Sequence, residues 1–159
     1  MEIRFFQSED TDSAAALLYE MSCHYHGNKA STREAVRRNL VENILGSDSD
    51  VRIVVAMVSA RVIGLATLSI LYPAPNERAQ LFMKELYVAA DWRSQGIGTQ
   101  IMKWIAQYAV KTNCARFDWT VDAQNTKAIA FYKSLGALHV ADKLYFRFSG
   151  DELQRLADG

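Results

Sequence analysis

The spacing of apolar residues along the chain predicts alternating strands and helices. Apolar and β-branched runs predict strands over residues 2–6, 51–58, 61–71, 81–88, 116–121, 137–140 and 144–148. Apolar residues at helical spacing predict helices over about residues 14–26, 31–45, 97–111 and 125–135, and the tail 151–159 has room for one or two helical turns. This order of elements fits a mixed α/β sheet in a single domain, residues 1–159.

Residues that favour helix ends and turns support these boundaries. Gly27, Gly46 and Gly136 follow three of the predicted helices, and glycine readily adopts the left-handed conformation that commonly ends a helix. The stretch Ser31–Glu34 has the pattern of a capping box and predicts the start of the second helix. The proline-containing stretch Pro73–Asn76 predicts a loop between two strands.

Composition narrows the class of protein. Half of the 159 residues are hydrophobic, and 18 basic residues balance 18 acidic ones, so the formal net charge is zero. This balance argues against non-specific nucleic-acid binding as the main task. No apolar run reaches the ~18 residues that a membrane span needs, and the N-terminus lacks the organisation of a signal peptide. Cys23 and Cys114 lie far apart without redox or zinc spacing, which favours a reducing, cytoplasmic location.

Residues 81–99 combine a strand, a short loop and a helix start that suit an anionic ligand. Arg93 lies in the loop, and Gly96 and Gly98 lie where the helix begins. A helix start has free backbone N–H groups and a positive dipole end. Glycine lets an anion approach that backbone, and a nearby arginine adds charge. The stretch therefore predicts a cradle for a diphosphate, although a ligand-free turn between strand and helix has the same glycines.

Two other phosphate motifs do not fit this stretch. A P-loop requires a lysine after its last glycine, whereas Gly98 is followed by Thr99. A dinucleotide fingerprint requires a third glycine, and that position is Ile101. Its first glycine should also follow the strand directly, but seven residues separate Val88 from Gly96. A nucleotide-binding oxidoreductase module is therefore disfavoured.

A second block of residues completes the pattern. It comprises a strand, Asn125 at a predicted helix start, Ala128, the pair Phe131-Tyr132 and Gly136 at the helix end. Together with the Arg-x-x-Gly-x-Gly loop, it resembles the GNAT superfamily of acetyl-CoA-dependent N-acetyltransferases over residues 81–137. Within that superfamily it looks most like the diamine and thialysine branch, but Lys84 precedes Glu85 where the diamine branch has paired acids.

The resemblance implies a fold, a reaction and its partners. The expected fold is a single GNAT domain: a mixed, mostly antiparallel twisted sheet flanked by helices, with two central parallel strands that splay apart around the cofactor. The implied reaction transfers acetyl directly from acetyl-CoA to a primary amine, without a metal ion. A small amine or polyamine is the expected acceptor, with a protein or peptide amine as the alternative. A homodimer is expected from the family alone.

The resemblance also carries roles to single residues. Contacts with the cofactor are implied for Leu86, Val88, Arg93, Ser94, Gln95, Gly96, Ile97, Gly98, Thr99 and Asn125. Tyr132 is implied as the acid that protonates the leaving thiolate, and the adjacent central strand offers Glu85 as a general base. The end of the first helix often lines the acceptor site in this family, which suggests substrate contacts by Tyr19, Glu20, His24 and Tyr25.

Each of the main candidates also has a structural explanation. Tyr132 suits a core position, Glu85 suits a surface ion pair, and Asn125 suits a helix N-cap. Asp118 and Asp122 remain alternative acids for the base or for binding a cation. A catalytically silent CoA-binding protein would show the same cradle.

A metal site is not expected from the histidines. His24 and His26 are two residues apart, so they do not share a helix face, and no second ligand pair exists in the sequence.

Overall fold

The computed structural model describes residues 1–159 as two compact units, residues 1–120 and 121–159. The strands are β1 (Glu2–Phe5), β2 (Arg52–Val58), β3 (Arg61–Ala74), β4 (Arg78–Val88) and β5 (Cys114–Trp119). The helices are α1 (Thr11–His26), α2 (Arg33–Asn39), α3 (Ile97–Lys111), α4 (Thr126–Ser134) and α5 (Gly150–Ala157). No helix is long and apolar enough to cross a membrane. The assignment of all 159 residues to one domain stays a prediction.

The first unit is built on a five-stranded sheet in the order β1-β2-β3-β4-β5. The first three pairs are antiparallel, and β4 and β5 are parallel. The parallel pairing runs from Ala79 opposite Cys114 to Met83 opposite Trp119, whereas β4 continues to Val88. The mixed, mostly antiparallel sheet with one parallel pair is thereby confirmed, and this pair lies at one edge of the sheet, with β5 as the edge strand. Residues 84–88 of β4 lie beyond the end of that pair.

A β-bulge interrupts the pairing of β3 with β4 next to this point. Thr67 lies opposite Glu85 and Leu68 lies opposite Met83, so Lys84 is the extra residue. A bulge bends its strand and changes the direction of the side chains around it. It therefore allows Lys84 and Glu85, which would point to opposite faces in a regular strand, to lie on one side.

Helices α1 and α3 cover opposite faces of the sheet. Leu65 of β3 belongs to the buried cluster that includes Leu17 and Leu18 of α1. The preceding residue, Gly64, faces α3, because a Cβ atom there would lie 2.9 Å from the Ile101 side chain. Gly64 thus allows α3 to approach the sheet closely, and both faces of the central strands are buried.

A buried ion pair joins β1 to the start of α1. Arg4 donates two hydrogen bonds to the Asp10 carboxylate, at 2.6 and 2.9 Å, and the Gln7 amide donates a third at 2.8 Å. Asp10 is buried. The hydrogen bonds from Arg4 lower the pKa of Asp10 despite the opposing effect of burial.

Several sequence predictions need correction at their boundaries. The second helix is capped by Thr32, whose hydroxyl accepts from the Ala35 amide at 3.2 Å, rather than by Ser31. It ends in a π-helical turn, Leu40–Ile44. The β3 strand continues through most of the predicted loop to Ala74, and a short 3-10 turn, Pro75–Glu77, makes the connection.

In the second unit, α4 and α5 lie where the sequence predicts helices, but the two predicted strands are absent. Residues 137–149 contain no strand. A strand exists only through hydrogen bonds to a neighbouring strand, and the sheet described above ends at β5. The predictions of strands over 137–140 and 144–148 are therefore wrong for this structure. Their apolar side chains are exposed, with Leu138 at 90% and Phe146 at 86%.

Candidate functional site

A cavity of about 440 Å³ lies in the first unit, between α1, α2 and the sheet. One stripe of α1 forms its first wall, consisting of Leu18, Met21, Ser22, Tyr25 and His26. The spacing of these residues places them on one helix face. The second wall comes from α2 and the segments around it, and consists of Ser31, Ala35, Val36, Asn39, Ile44 and Val51. The sheet closes the cavity with Thr67, Leu68, Ser69, Lys84 and Glu85.

Glu85 is the only carboxylate that lines this cavity. Its side chain is 33% exposed, and one carboxylate oxygen lies 3.5 Å from the Lys84 ammonium nitrogen. The bulge at Lys84 explains why both consecutive side chains reach the cavity. Burial raises the pKa of Tyr25, and the negative charge of Glu85 raises it further. The cavity wall therefore carries the Glu85 carboxylate, the neighbouring Lys84 ammonium and the Tyr25 phenol, which stays protonated at neutral pH.

A hydrogen-bonded group at the end of β4 connects this cavity region to the following loop. The Tyr87 hydroxyl and the Ala90 amide both donate to one Glu20 carboxylate oxygen, at 3.1 and 2.9 Å. Burial and the charge of Glu20 raise the pKa of Tyr87 to about 12. Glu20 thus connects the second half of α1 to the end of β4 and the first residues of the loop.

Of the four residues predicted as substrate contacts, only one lines the cavity. Tyr25 lines the cavity, whereas Tyr19, Glu20 and His24 do not. The Arg33 guanidinium stacks on the Tyr19 ring at 4.8 Å, and the His24 ring lies 5.2 Å from the Tyr25 ring. Substrate contact by these four residues stays a prediction.

The loop after β4 holds Arg93 close to the strand. Its Nε donates to the Val88 carbonyl at 3.0 Å, and its guanidinium lies 5.0 Å from the centre of the Tyr87 ring. The Gln95 side chain donates to the Asp91 carbonyl at 3.1 Å. These contacts order the loop and keep a positive charge beside the last residues of β4.

The start of α3 has the features of an anion site. Its N-cap is Gly96, with φ of 79°, and no side chain caps the helix. The first helical hydrogen bond runs from the Gln100 amide to the Gly96 carbonyl at 3.0 Å. The amides of residues 97–99 therefore have no acceptor within the helix. Free amides, a positive dipole end, glycine at the cap and the nearby Arg93 fit a diphosphate.

The remaining predicted residues lie in the second unit. The side-chain oxygen of Asn125, Oδ1, accepts from the Ala128 amide at 3.1 Å and so caps α4. Tyr132 is half-buried on α4, and its ring centre lies 5.2 Å from that of Phe131. The catalytic role of Tyr132 and cofactor contact by Asn125 stay predictions.

The alternative acids make local contacts. Asp118 forms an ion pair with Arg116 at 3.1 Å in the first unit. Asp122 accepts from the Gln124 amide at 2.8 Å in the second.

Most of the cavity was not predicted from the sequence. Only Tyr25 and Glu85 were predicted as site residues, because the remaining lining residues come from separate elements and carry ordinary core or surface side chains. One signal was available: the positions of Leu18, Met21, Ser22, Tyr25 and His26 mark a single face of α1, and its end mixes apolar and polar residues.

Comparison with known proteins identifies the family. The model of the Acetyltransferase (GNAT) family matches residues 15–137. The chain is 34% identical to mouse (Mus musculus) thialysine N-epsilon-acetyltransferase over 99 residues, which cover 60% of this chain and 58% of the mouse protein. It is 28% identical to L-ornithine N5-acetyltransferase NATA1 of Arabidopsis thaliana over 85 residues, which cover 54% and 37% of the two chains. The matched part thus spans little more than half of the mouse protein.

A solved structure matches nearly the whole chain. The integron cassette protein VCH_CASS6, from the mobile metagenome of V. cholerae, superposes with a TM-score of 0.95 at 35% identity, over 99% of this chain and 98% of that one. The match to the family model covers most of this chain, including the β4 strand, the loop with Arg93 and the start of α3. The chain therefore belongs to the GNAT family of acetyltransferases.

Proposed function

We propose that this protein is an N-acetyltransferase that transfers the acetyl group of acetyl-CoA directly to a small primary amine. The observation that carries the proposal is the order of features along one strand. Glu85 lines the cavity from β4, and the same strand leads into the uncapped start of α3 through the Arg93 loop. An amine site and a diphosphate site are thus connected by the backbone of residues 86–96.

The proposed donor site uses backbone groups and one guanidinium. The pyrophosphate binds the amides at the start of α3 together with Arg93, Ser94 and Gln95. Leu86 and Val88 present backbone groups of β4 to the thioester and the pantetheine arm, and Asn125 contacts that arm while it caps α4. The supporting observation is that pairing with β5 ends at Met83, before these strand residues. A backbone N–H of this region stabilises the oxyanion that forms on the thioester carbonyl.

The proposed reaction needs a base and an acid. An alkylammonium has a pKa of about 10, so the acceptor must lose a proton before its nitrogen attacks the thioester carbon. Glu85 receives this proton, directly or through water. The tetrahedral intermediate then expels the CoA thiolate, which Tyr132 protonates through its hydroxyl. The carbon–nitrogen bond replaces the carbon–sulfur bond, and the products are an amide and free CoA.

The named relatives support a small amine as the acceptor. The mouse relative is named for thialysine, the plant relative is named for ornithine, and a human relative is named for spermidine and spermine. These names alone do not distinguish a small monoamine from a polyamine as the acceptor. Two alternative hypotheses remain for the function: an acetyltransferase that acts on a protein or peptide amine, and a CoA-binding protein without catalysis.

The proposal includes a homodimer and a cytoplasmic location. The homodimer is supported by the exposed apolar side chains of residues 138–148, which another protein surface would shield from water. The location is supported by the two free thiols, Cys23 and Cys114, which persist in a reducing compartment.

Two measurements test the activity. Calorimetric titration with acetyl-CoA, with NAD as the control ligand, should detect binding of acetyl-CoA alone. Release of the CoA thiol over a panel of small amines, polyamines, aminoglycosides and basic peptides should then show turnover with the small amines. Binding without turnover on any amine would identify a silent CoA-binding protein, and turnover on peptides alone would establish the rival acceptor class.

A further inference from the structure

The charges that line the cavity are few and already balanced. Among the lining side chains, Glu85 is the one carboxylate and Lys84 is the one ammonium. They lie 3.5 Å apart, so the single carboxylate already has one cationic neighbour. An acceptor ammonium bound at Glu85 would share that carboxylate with Lys84. No other carboxylate in the lining is present to pair with a second ammonium.

The rest of the lining is mainly apolar. Leu18, Met21, Val36, Ile44, Val51 and Leu68 contribute aliphatic or thioether side chains from three directions. Burial of an ammonium against such a surface is costly unless an anion or several hydrogen bonds compensate, whereas burial of methylene groups there is favourable. Uncharged groups such as Ser69 and Asn39 can accept hydrogen bonds from an ammonium, but they do not neutralise its charge.

We propose that the acceptor carries one ammonium group on an apolar chain or ring, and that diamines and polyamines are poor substrates. This inference rests on the proposed function and narrows its substrate class. The reacting amine lies at Glu85, and the apolar body fills the part of the cavity lined by Leu18, Val36 and Leu68. The volume of about 440 Å³ is within the range of small-molecule sites and accommodates an amine of six or more carbons.

A matched pair of amines tests the inference. Hexylamine and 1,6-diaminohexane share a six-carbon chain and differ only at the far end, where a methyl group is replaced by an ammonium. Their reacting ammonium groups have similar pKa values, near 10, so the fraction of free amine is nearly the same. We expect kcat/KM for hexylamine to exceed that for the diamine by at least about tenfold, after correction for the two equivalent amines of the diamine. An equal or higher value for the diamine would overturn the inference.

A single substitution should change this preference. Asn39 is exposed on α2, lines the cavity and accepts from the Asn43 side chain at 2.8 Å. Asn39→Asp keeps the shape and an accepting oxygen while adding a second carboxylate. We expect the ratio of hexylamine to diaminohexane kcat/KM to fall at least about fivefold, because the new charge can pair with the second ammonium. The matched control is Asn76→Asp, which adds the same charge on an exposed turn outside the cavity and should leave the ratio unchanged.

Binding measurements separate this inference from the proposed activity. Calorimetry with the CoA-saturated protein compares the two amines without turnover. Tighter binding of hexylamine supports the inference even if neither amine is acetylated, in which case the proposed activity is wrong. Turnover that prefers the diamine leaves the activity standing and overturns the substrate class. Absence of binding by both amines would also overturn the substrate class.

Discussion

Glu85 lines the cavity and lies on β4 beside the proposed thioester site. If it accepts the proton of the acceptor ammonium, Glu85→Gln should lower kcat/KM by roughly 10²–10⁴-fold near neutral pH. The loss should shrink as pH approaches about 10, where free amine becomes abundant without a base. Rate profiles over pH for both proteins give the measurement, and acetyl-CoA affinity, which should not change, is the control. A loss that is the same at every pH would assign Glu85 to substrate positioning.

Tyr132 offers a second test of the proposed chemistry. Tyr132→Phe removes one hydroxyl and keeps the ring, so packing against Phe131 should be retained. If the hydroxyl protonates the thiolate, kcat should fall ~10²–10⁴-fold while acetyl-CoA affinity changes by no more than about 1 kcal/mol. Single-turnover kinetics and titration on one preparation measure both quantities. A single-turnover rate above about half of the wild-type rate would remove Tyr132 from the mechanism.

Asp10 is important for stability rather than for the reaction. Asp10→Asn removes the carboxylate that accepts two hydrogen bonds from Arg4, and should destabilise the protein at pH 7 by at least about 2 kcal/mol. Because the folded-state pKa of Asp10 is lowered, its contribution is present above the unfolded value of about 3.9 and is lost as pH falls through the folded value. Urea unfolding from pH 7 to pH 3 should show the difference between wild type and variant shrinking. A difference that persists below both pKa values would mean that charge is not the cause.

At the scale of elements, the loop after β4 and the start of α3 together form the proposed diphosphate site. Gly98 lies in the first turn of α3, where a branched side chain would meet a diphosphate. Gly98→Val should weaken acetyl-CoA binding by at least about 2 kcal/mol, through steric exclusion and lost amide contacts. Gln107→Val places the same side chain on the exposed face of α3 and controls for the cost in helix propensity. Unchanged acetyl-CoA affinity in a folded Gly98→Val protein would exclude this helix start as the phosphate site.

Local sequence patterns were sufficient for most elements. The strong periodicity of α3 and the β-branched runs of β2 and β3 gave their types and approximate ends. The observed helix boundaries differ from the predicted ones where neighbouring residues can each cap the helix. Thr32, for example, caps α2 although Ser31 is next to it. Residues 144–148 alternate as a strand would, but pairing depends on a neighbour that no local pattern specifies. This dependence is why those two predicted strands failed.

The candidate site was predictable only in part, for a related reason. The Arg93 loop and its glycines form one contiguous motif, so the sequence alone indicated an anion site. The cavity is assembled from α1, α2, β3 and β4, and its acid is turned toward it by a bulge at Lys84. No contiguous pattern encodes that bulge, because it depends on the register between β3 and β4.

At the scale of the whole molecule, the apolar surface of residues 138–148 requires an explanation. Leu138, Leu144 and Phe146 are each at least 81% exposed, and contiguous exposure of this kind is unusual in a protein that acts as a monomer. In a two-fold dimer each copy would shield the same segment of its partner, so that one interface covers both. This symmetry makes a second copy the proposed partner.

The oligomeric state gives the test. The wild-type protein should have a mass near twice 17.9 kDa by light scattering after size exclusion at micromolar concentration. The double substitution Leu144→Asp and Phe146→Asp places two charges on the apolar segment and should yield monomers, because burial of unpaired carboxylates is costly. The control, Ala141→Asp, adds a charge at a small exposed residue of the same segment and should remain dimeric. A wild-type monomer, or a double variant that still dimerises, would show that this segment does not form the interface.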